Sequence, residues 1–169
     1  MKKISLTILL VIQMMLTSCG GGGGGNSSNS ATPAQQPTRA IVKLSTIGPA
    51  NIQIGGVDVT MVLPTGVTIK SKNSPPETDA GTVVASGQAA VNSLAMATYT
   101  AGSPGKMHIV IVNSGQNGFT IGEFATITCD LASGANPTSS DFTIQSSIVG
   151  DLNGAAALGV SVNAGVVLE

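Results

Sequence analysis

The chain has no tryptophan, a single tyrosine (Tyr99) and three phenylalanines (Phe119, Phe124, Phe142) in 169 residues. So small an aromatic supply speaks against functions that stack rings on flat ligands, single-stranded nucleic acid above all. Charge is equally scarce, at 9% of residues, and no stretch of Lys and Arg builds the basic face that phosphate backbones require. Nucleic acid is therefore not an expected partner. Nor is there an apolar run of about 20 residues, the length that spans a hydrocarbon core. The longest mostly apolar stretch, residues 4–16, is shorter and is diluted by Ser5, Thr7 and Gln13.

That stretch follows Lys2 and Lys3, and the order of positive n-region and apolar h-region is the pattern of a signal peptide. It ends on Leu16-Thr17-Ser18-Cys19, which resembles the lipobox of bacterial lipoproteins. The resemblance implies cleavage between Ser18 and Cys19 and acylation of Cys19 on thiol and amine. More than one acyl chain is what stable anchoring needs. Gly20 follows the cysteine, in place of the Asp associated with inner-membrane retention in enteric bacteria, so the expected location is the cell envelope with the outer membrane preferred.

Residues 20–25 are all glycine, and Asn, Ser, Pro and Gln follow to residue 37. Such chain cannot bury a core, and as a flexible coil residues 20–39 have an end-to-end distance of about 25 Å. A phosphate-cradling loop would need a preceding strand, a following helix and a Lys-Ser/Thr pair, none of which is present. The segment reads as a tether.

Residues 40–169 form one domain's worth of chain, rich in Val, Ile, Thr, Ala and Gly. Without Lys2 and Lys3 the mature chain has five basic against eight acidic side chains, hence a formal net charge of −3. In Val57-Asp58-Val59-Thr60-Met61 apolar and polar residues alternate, as in a strand buried on one face. Lys106 to Val112 is more continuously apolar and reads as a central strand. From Glu123 to Leu131, Ala125, Ile127, Cys129 and Leu131 share one face while Thr126, Thr128 and Asp130 share the other. Further strands are expected over 41–46, 67–70, 82–86, 95–100, 142–146 and 157–163, with a terminal piece at 166–168. For residues 88–96, where Ala is common, a short helix is the alternative reading. Turn signals at Leu63-Pro64-Thr65-Gly66, Ser74-Pro75-Pro76, Gly102-Ser103-Pro104-Gly105, Asn113-Ser114-Gly115, Asn136-Pro137 and Asn153-Gly154 separate them. Many short strands with closely spaced turns predict an all-β sandwich or barrel.

A strand followed by Pro (Val57 to Pro64), a Gly-Lys strand entry (Gly105-Lys106) and the run Gly122-Glu123-Phe124-Ala125-Thr126-Ile127-Thr128 together resemble cohesin-type domains. The strand ends on Leu63-Pro64-Thr65 where cohesins more often carry an aromatic-Asp-Pro. The resemblance implies an antiparallel jelly-roll sandwich of about nine strands, related to carbohydrate-binding modules. It also implies docking of a protein partner, dockerin-like or another envelope protein, through a sheet face. It designates no ligand-binding residue.

Few residues invite chemistry. Cys129 has no second free cysteine once Cys19 is acylated, and its place among apolar strand residues suits a small buried hydrophobe. An intermolecular disulfide is the alternative. A nucleophile would need a base in reach, and His108, the only imidazole, has no feature that brings it to Cys129. One His and one available thiol cannot supply the four side-chain ligands of an ordinary zinc site, so no cofactor is expected. Asp151-Leu152-Asn153-Gly154 opens like a calcium loop, but residues 155–159 hold no acidic ligand; a hairpin turn is the simpler reading. Glu77 and Asp79 are read as solvated loop charge rather than as glycosidase carboxylates. A binding module, or a structural envelope component, is expected rather than an enzyme. Carbohydrate is a weaker candidate ligand because the rings that would stack on it are so few.

The anchor is directly testable: Cys19→Ala should abolish fatty-acid labelling and leave uncleaved precursor or released protein, as read by metabolic labelling and membrane fractionation.

Overall fold

The computed structural model describes residues 35–72 and 77–169. Nine antiparallel strands form two sheets. The strands are β1 (Arg39–Ile47), β2 (Ile54–Leu63), β3 (Val67–Thr68), β4 (Val83–Ala85), β5 (Ser93–Thr100), β6 (Gly105–Asn113), β7 (Glu123–Leu131), β8 (Thr143–Asp151) and β9 (Ser161–Leu168). In sheet I the order is β3-β7-β1-β9, with β4 also paired to β7; in sheet II it is β5-β6-β2-β8. Among the described residues β5 and β6 are the only consecutive strands that pair. All other ladders join strands distant in sequence, so the domain is an all-β sandwich held by long-range pairing.

Alternation of side chains selects the core. In β1, Ala40, Val42, Leu44 and Thr46 point inward, and in β2 Val57, Val59, Met61 and Leu63 do so; all are buried. These two strands are flanked on both sides, β1 by β7 and β9, β2 by β6 and β8. Met107, Ile109 and Ile111 of β6 complete the inner face of sheet II. With so few rings available, β-branched residues, Leu and Met fill the space between the sheets, and Met adapts to gaps that rigid side chains leave.

β7 departs from strict alternation at one point. Leu44 pairs with Ala125 and Ser45 with Glu123, leaving Phe124 as an extra residue in a β-bulge. A bulge re-aims side chains; here Phe124 and Ala125 are both wholly buried while Glu123 stays on the outer face. Every buried side-chain nitrogen or oxygen among the described residues has a hydrogen-bond partner, so no uncompensated polar group weakens the core.

The segment at 88–96 is not a helix. Residues Gly87–Ala89 make one 3-10 turn, Asn92 takes a positive φ of 58°, and β5 starts at Ser93. The ladder to β6, from Ser93 opposite Asn113 to Thr100 opposite Lys106, outweighs the alanine content. β8 runs five residues beyond the expected 142–146, to Asp151. β9 begins at Ser161 instead of 157 and takes in the expected terminal piece. Both shifts have one cause: the turn at Asp151 lets the chain leave β8 late, and the apolar residues after it form an exposed loop, with Leu158 83% accessible. Of 67–70 only Val67 and Thr68 pair with β7. The expected turn at Ser74-Pro75-Pro76 lies outside the described residues.

Chain entry and chain end lie together. The amides of Thr38 and Arg39 both donate to the Glu169 carbonyl, and the Leu131 amide donates to the Thr38 carbonyl. The far end is closed by the connections β1–β2, β6–β7 and β8–β9, where Ile54 N–H donates to the Phe119 carbonyl and Thr46 N–H to that of Gly122. Phe124→Ala, which leaves a cavity where the bulge turns a ring into the core, should cost about 3–5 kcal/mol, measured by urea unfolding.

Candidate functional site: a glycine-floored groove on sheet II

The outer face of sheet II can be read row by row from its register. Toward the far end, Leu94, Val112, Gly56 and Gly150 lie side by side; the next row is Met96, Val110, Asp58 and Ile148; the third is Thr98, His108, Thr60 and Ser146. Four of these apolar side chains are substantially open: Leu94 60%, Met96 49%, Val112 45% and Ile148 67%. Between them the paired glycines leave the backbone bare, and a groove of about 520 Å3 runs over Gly56 and Gly150. Val110, Val112, Ile148 and Leu152 line it, with Asp58 and Asp151 as its only charged residues. The volume falls in the range of small ligand sites, ~300–1,000 Å3.

The two floor glycines differ in origin. A Cβ on Gly56 would stand 3.0 Å from the Ile111 carbonyl oxygen, so a side chain there would press the neighbouring strand back by a few tenths of an ångström. A Cβ on Gly150 would meet nothing nearer than 3.9 Å, and its φ lies outside the left-handed region. Strand pairing therefore does not require glycine at 150. Glycine costs roughly 0.5–1 kcal/mol against alanine within a strand; at 150 it lies opposite the bulge between Ile54 and Gly56, is bridged on its other side by Ala156, and leaves the groove unfilled.

The polar groups around the groove are mostly committed. The Asn113 amide donates to the Val91 carbonyl (2.9 Å) and the Ser93 hydroxyl (2.8 Å), and its side-chain oxygen accepts from Gly115 N–H (2.8 Å). Asp151 Oδ1 accepts from the amides of Asn153 (2.8 Å) and Ala155 (2.9 Å), and Gly154 N–H returns to the Asp151 carbonyl with φ +78° at the glycine. Asp151 and Asn153 thus belong to a turn closed by their own loop. Asp58 stands 2.8 Å from His108 Nε2, with both side chains nearly half exposed.

The residues singled out in the sequence do not converge. His108 is on the outer face of sheet II, whereas Cys129 is on the inner face of sheet I and wholly buried. Burial, with a smaller contribution from Asp130, pushes the Cys129 thiol up to about 12, so at neutral pH it is a thiol without a thiolate's nucleophilicity. Glu77 and Asp79 flank Thr78, whose amide donates to the Ala97 carbonyl beside the edge of β5; Glu77 is exposed and Asp79 partly so. Tyr99, Phe119, Phe124 and Phe142 are all buried, which leaves no ring face for a sugar. Ser18 and Cys19 lie outside the described residues.

One cluster escapes sequence reasoning altogether. On the outer face of sheet I, Glu123 accepts from the Ser86 hydroxyl (2.7 Å), the Thr126 hydroxyl (3.2 Å) and Lys43 Nζ (3.0 Å). Ser86 and Lys43 hold the Glu123 carboxyl below the usual range against the opposing effect of partial burial. A carboxylate so stabilised is a weak base, and with its neighbours satisfied the cluster acts as a clasp across β1, β7 and the β4 end. Only the register of β1 with β7 brings residues 43 and 123 together.

Comparison of the chain with protein-family models, with curated proteins and with solved structures finds no match.

Because the folded protein favours ionised Glu123, its contribution is present above the ordinary carboxyl value of 4.5 and is lost as pH falls through the lower folded value. Glu123→Gln should therefore be less stable than the parent at pH 7, with the gap closing below about pH 4; urea unfolding across that range is the measurement.

Proposed function

We propose that this protein is a lipid-anchored cell-envelope module that recognises a protein partner through the outer face of sheet II. The observation that carries the reading is the contrast between the two outer faces. Sheet I presents Lys43, Glu123 and Thr126, tied by hydrogen bonds and an ion pair, with Thr128 and Asp130 alongside and its open apolar residues Ile47, Val84 and Val167 set apart from one another on β1, β4 and β9. Sheet II presents Leu94, Met96, Val112 and Ile148 around a groove. Apolar residues that are adjacent and open, rather than scattered, are the usual mark of an interaction surface.

The signal-like N-terminus and lipobox support envelope anchoring, with the outer membrane as the preferred site. The two-sheet, nine-stranded architecture is the one the cohesin resemblance implies, and it supports docking by a sheet face. The burial of all four aromatic rings favours a protein over a carbohydrate ligand. The separation of His108 from Cys129 favours binding over catalysis.

Magnitudes limit how tight such docking is. Covering four side chains that are each about half open gains on the order of 1 kcal/mol apiece. Association costs at least about 4 kcal/mol in lost freedom. The apolar face alone thus breaks even, and affinity must come from the groove and its charged rim.

The test is site-specific photo-crosslinking in intact cells from position 148 on sheet II and position 128 on sheet I. Crosslinks to an envelope protein from 148, absent from 128 and lost in Leu94→Asp, are expected. Equal labelling from both faces, or none from 148, would sink the reading.

A further inference from the structure

We propose that the groove over Gly56 and Gly150 receives a segment of the protein partner that presents an apolar side chain next to a Lys or Arg. The inference rests on the partner-recognition reading above and specifies the partner's chemistry. Three observations support it.

The first is the floor. A side chain at Gly56 would press on the Ile111 carbonyl at 3.0 Å, whereas Gly150 has room to carry one. Within a strand, a glycine marks a bulge or a place where a ligand or another backbone comes close; the bulge here lies in β2 at Gly55, and Gly150 on β8 keeps its outward side open. Because the outward positions of β2 and β8 are both bare in this row, a partner chain can lie against the sheet backbone with a side chain lodged between Val112, Ile148 and Leu152.

The second is charge. Asp58 and Asp151 are the only charged groups lining the groove. The one Lys on this face, Lys106, lies two rows from Asp58, opposite Val62 near the chain-entry end. A second copy of the chain would set carboxylates against carboxylates. An anionic lipid surface would meet the same pair with no cation in the lining. A Lys or Arg beside the inserted side chain instead finds Asp58 at the groove's inner end, where a pair that stays nearly half open to solvent sets orientation more than affinity.

The third is the commitment of the other polar groups, the exposed Gln116 on the loop after β6 excepted. Asn113 has spent both its amide hydrogens and its carbonyl oxygen within the fold, and one oxygen of Asp151 is held by two loop amides. Asp58 is tied only to the exposed His108, so a partner cation exchanges one solvent-accessible contact for another and dismantles nothing in the fold.

The experiment pans phage-displayed random twelve-residue peptides against the full chain anchored on neutral phosphatidylcholine vesicles, after depletion on bare vesicles. Enriched sequences should pair Leu, Ile or Val with an adjacent Lys or Arg. Synthetic versions should lose tenfold or more in affinity with Gly150→Val, which fills the groove, while the unfolding midpoint stays or rises. Asp58→Asn should weaken them at least threefold, and Asp58→Lys should shift selection toward Asp- or Glu-bearing peptides. Peptides that bind Gly150→Val as well as the parent would overturn the groove assignment while leaving partner recognition standing. Enriched peptides without a basic residue would overturn the charge assignment in the same way. Self-association dissolved by Gly150→Val, or a gain in binding to anionic vesicles lost in that variant, would reassign the groove to a second copy or to lipid. Absence of any enriched peptide overturns the proposal; crosslinking from position 148 then decides the broader reading separately.

Discussion

The face-to-face burial of β1 and β2 is the contact on which the other elements depend. Each is the strand in its sheet whose inward side chains are buried without interruption, and each carries a ladder on both edges. Neither strand is stable alone, because a lone ribbon exposes as much apolar surface as it hides. Once Val42, Leu44, Val59 and Met61 are withdrawn from water together, the positions of β6, β7, β8 and β9 are fixed by hydrogen bonds to these two, and β5 follows by its pairing with β6. The loops then have little freedom in where they can go, and the groove is a product of that order: it lies where the centre strand of sheet II and its edge neighbour both lack side chains.

Much of this architecture can be read along the chain, and what cannot has a physical reason. The period-two patterns of Val57 to Met61 and Glu123 to Leu131 name the inner face residue by residue, because side-chain direction alternates with the pleat. Cys129 as a small buried hydrophobe follows from the same pattern and is so placed. Residues 152–160 mislead because an apolar run with alanines is as compatible with a strand as with a loop; the Asp151 turn and pairing with β1 decide it. The alanine-rich 88–96 misleads in the other direction, since a helical propensity of a few tenths of a kcal/mol per residue loses to a ladder of eight residues. Phe124 breaks the alternation through a bulge that no local signal announces.

The site was less legible than the fold. Asp58, Val112 and Ile148 look ordinary in sequence, as alternating strand residues do, and Gly56 and Gly150 are separated by more than half the domain. Only the register of β2 with β6 and β8 assembles them into one surface. The Lys43–Glu123 clasp is invisible for the same reason. Pairing between distant strands thus creates in one step both the Lys43–Glu123 clasp on sheet I and the contiguous open apolar rows of sheet II. The two sheets share a core and differ in what they leave unsatisfied at their outer surfaces.

The meeting of chain entry and chain end at one pole of the sandwich has a mechanical consequence. If the domain is anchored through its N-terminal side, as proposed, tension enters at Arg39 and acts on β1 along its own axis. That strand is held between β7 and β9, both antiparallel to it, so the load falls in shear on two complete ladders at once. Loaded in this direction, hydrogen bonds must yield together, whereas a strand peeled from a sheet edge gives them up one after another. The C-terminal strand adds to the grip, because Arg39 N–H and Thr38 N–H both bind the last carbonyl of the chain. Tension entering at Arg39 is therefore resisted best along the line joining that residue to the far, apolar end.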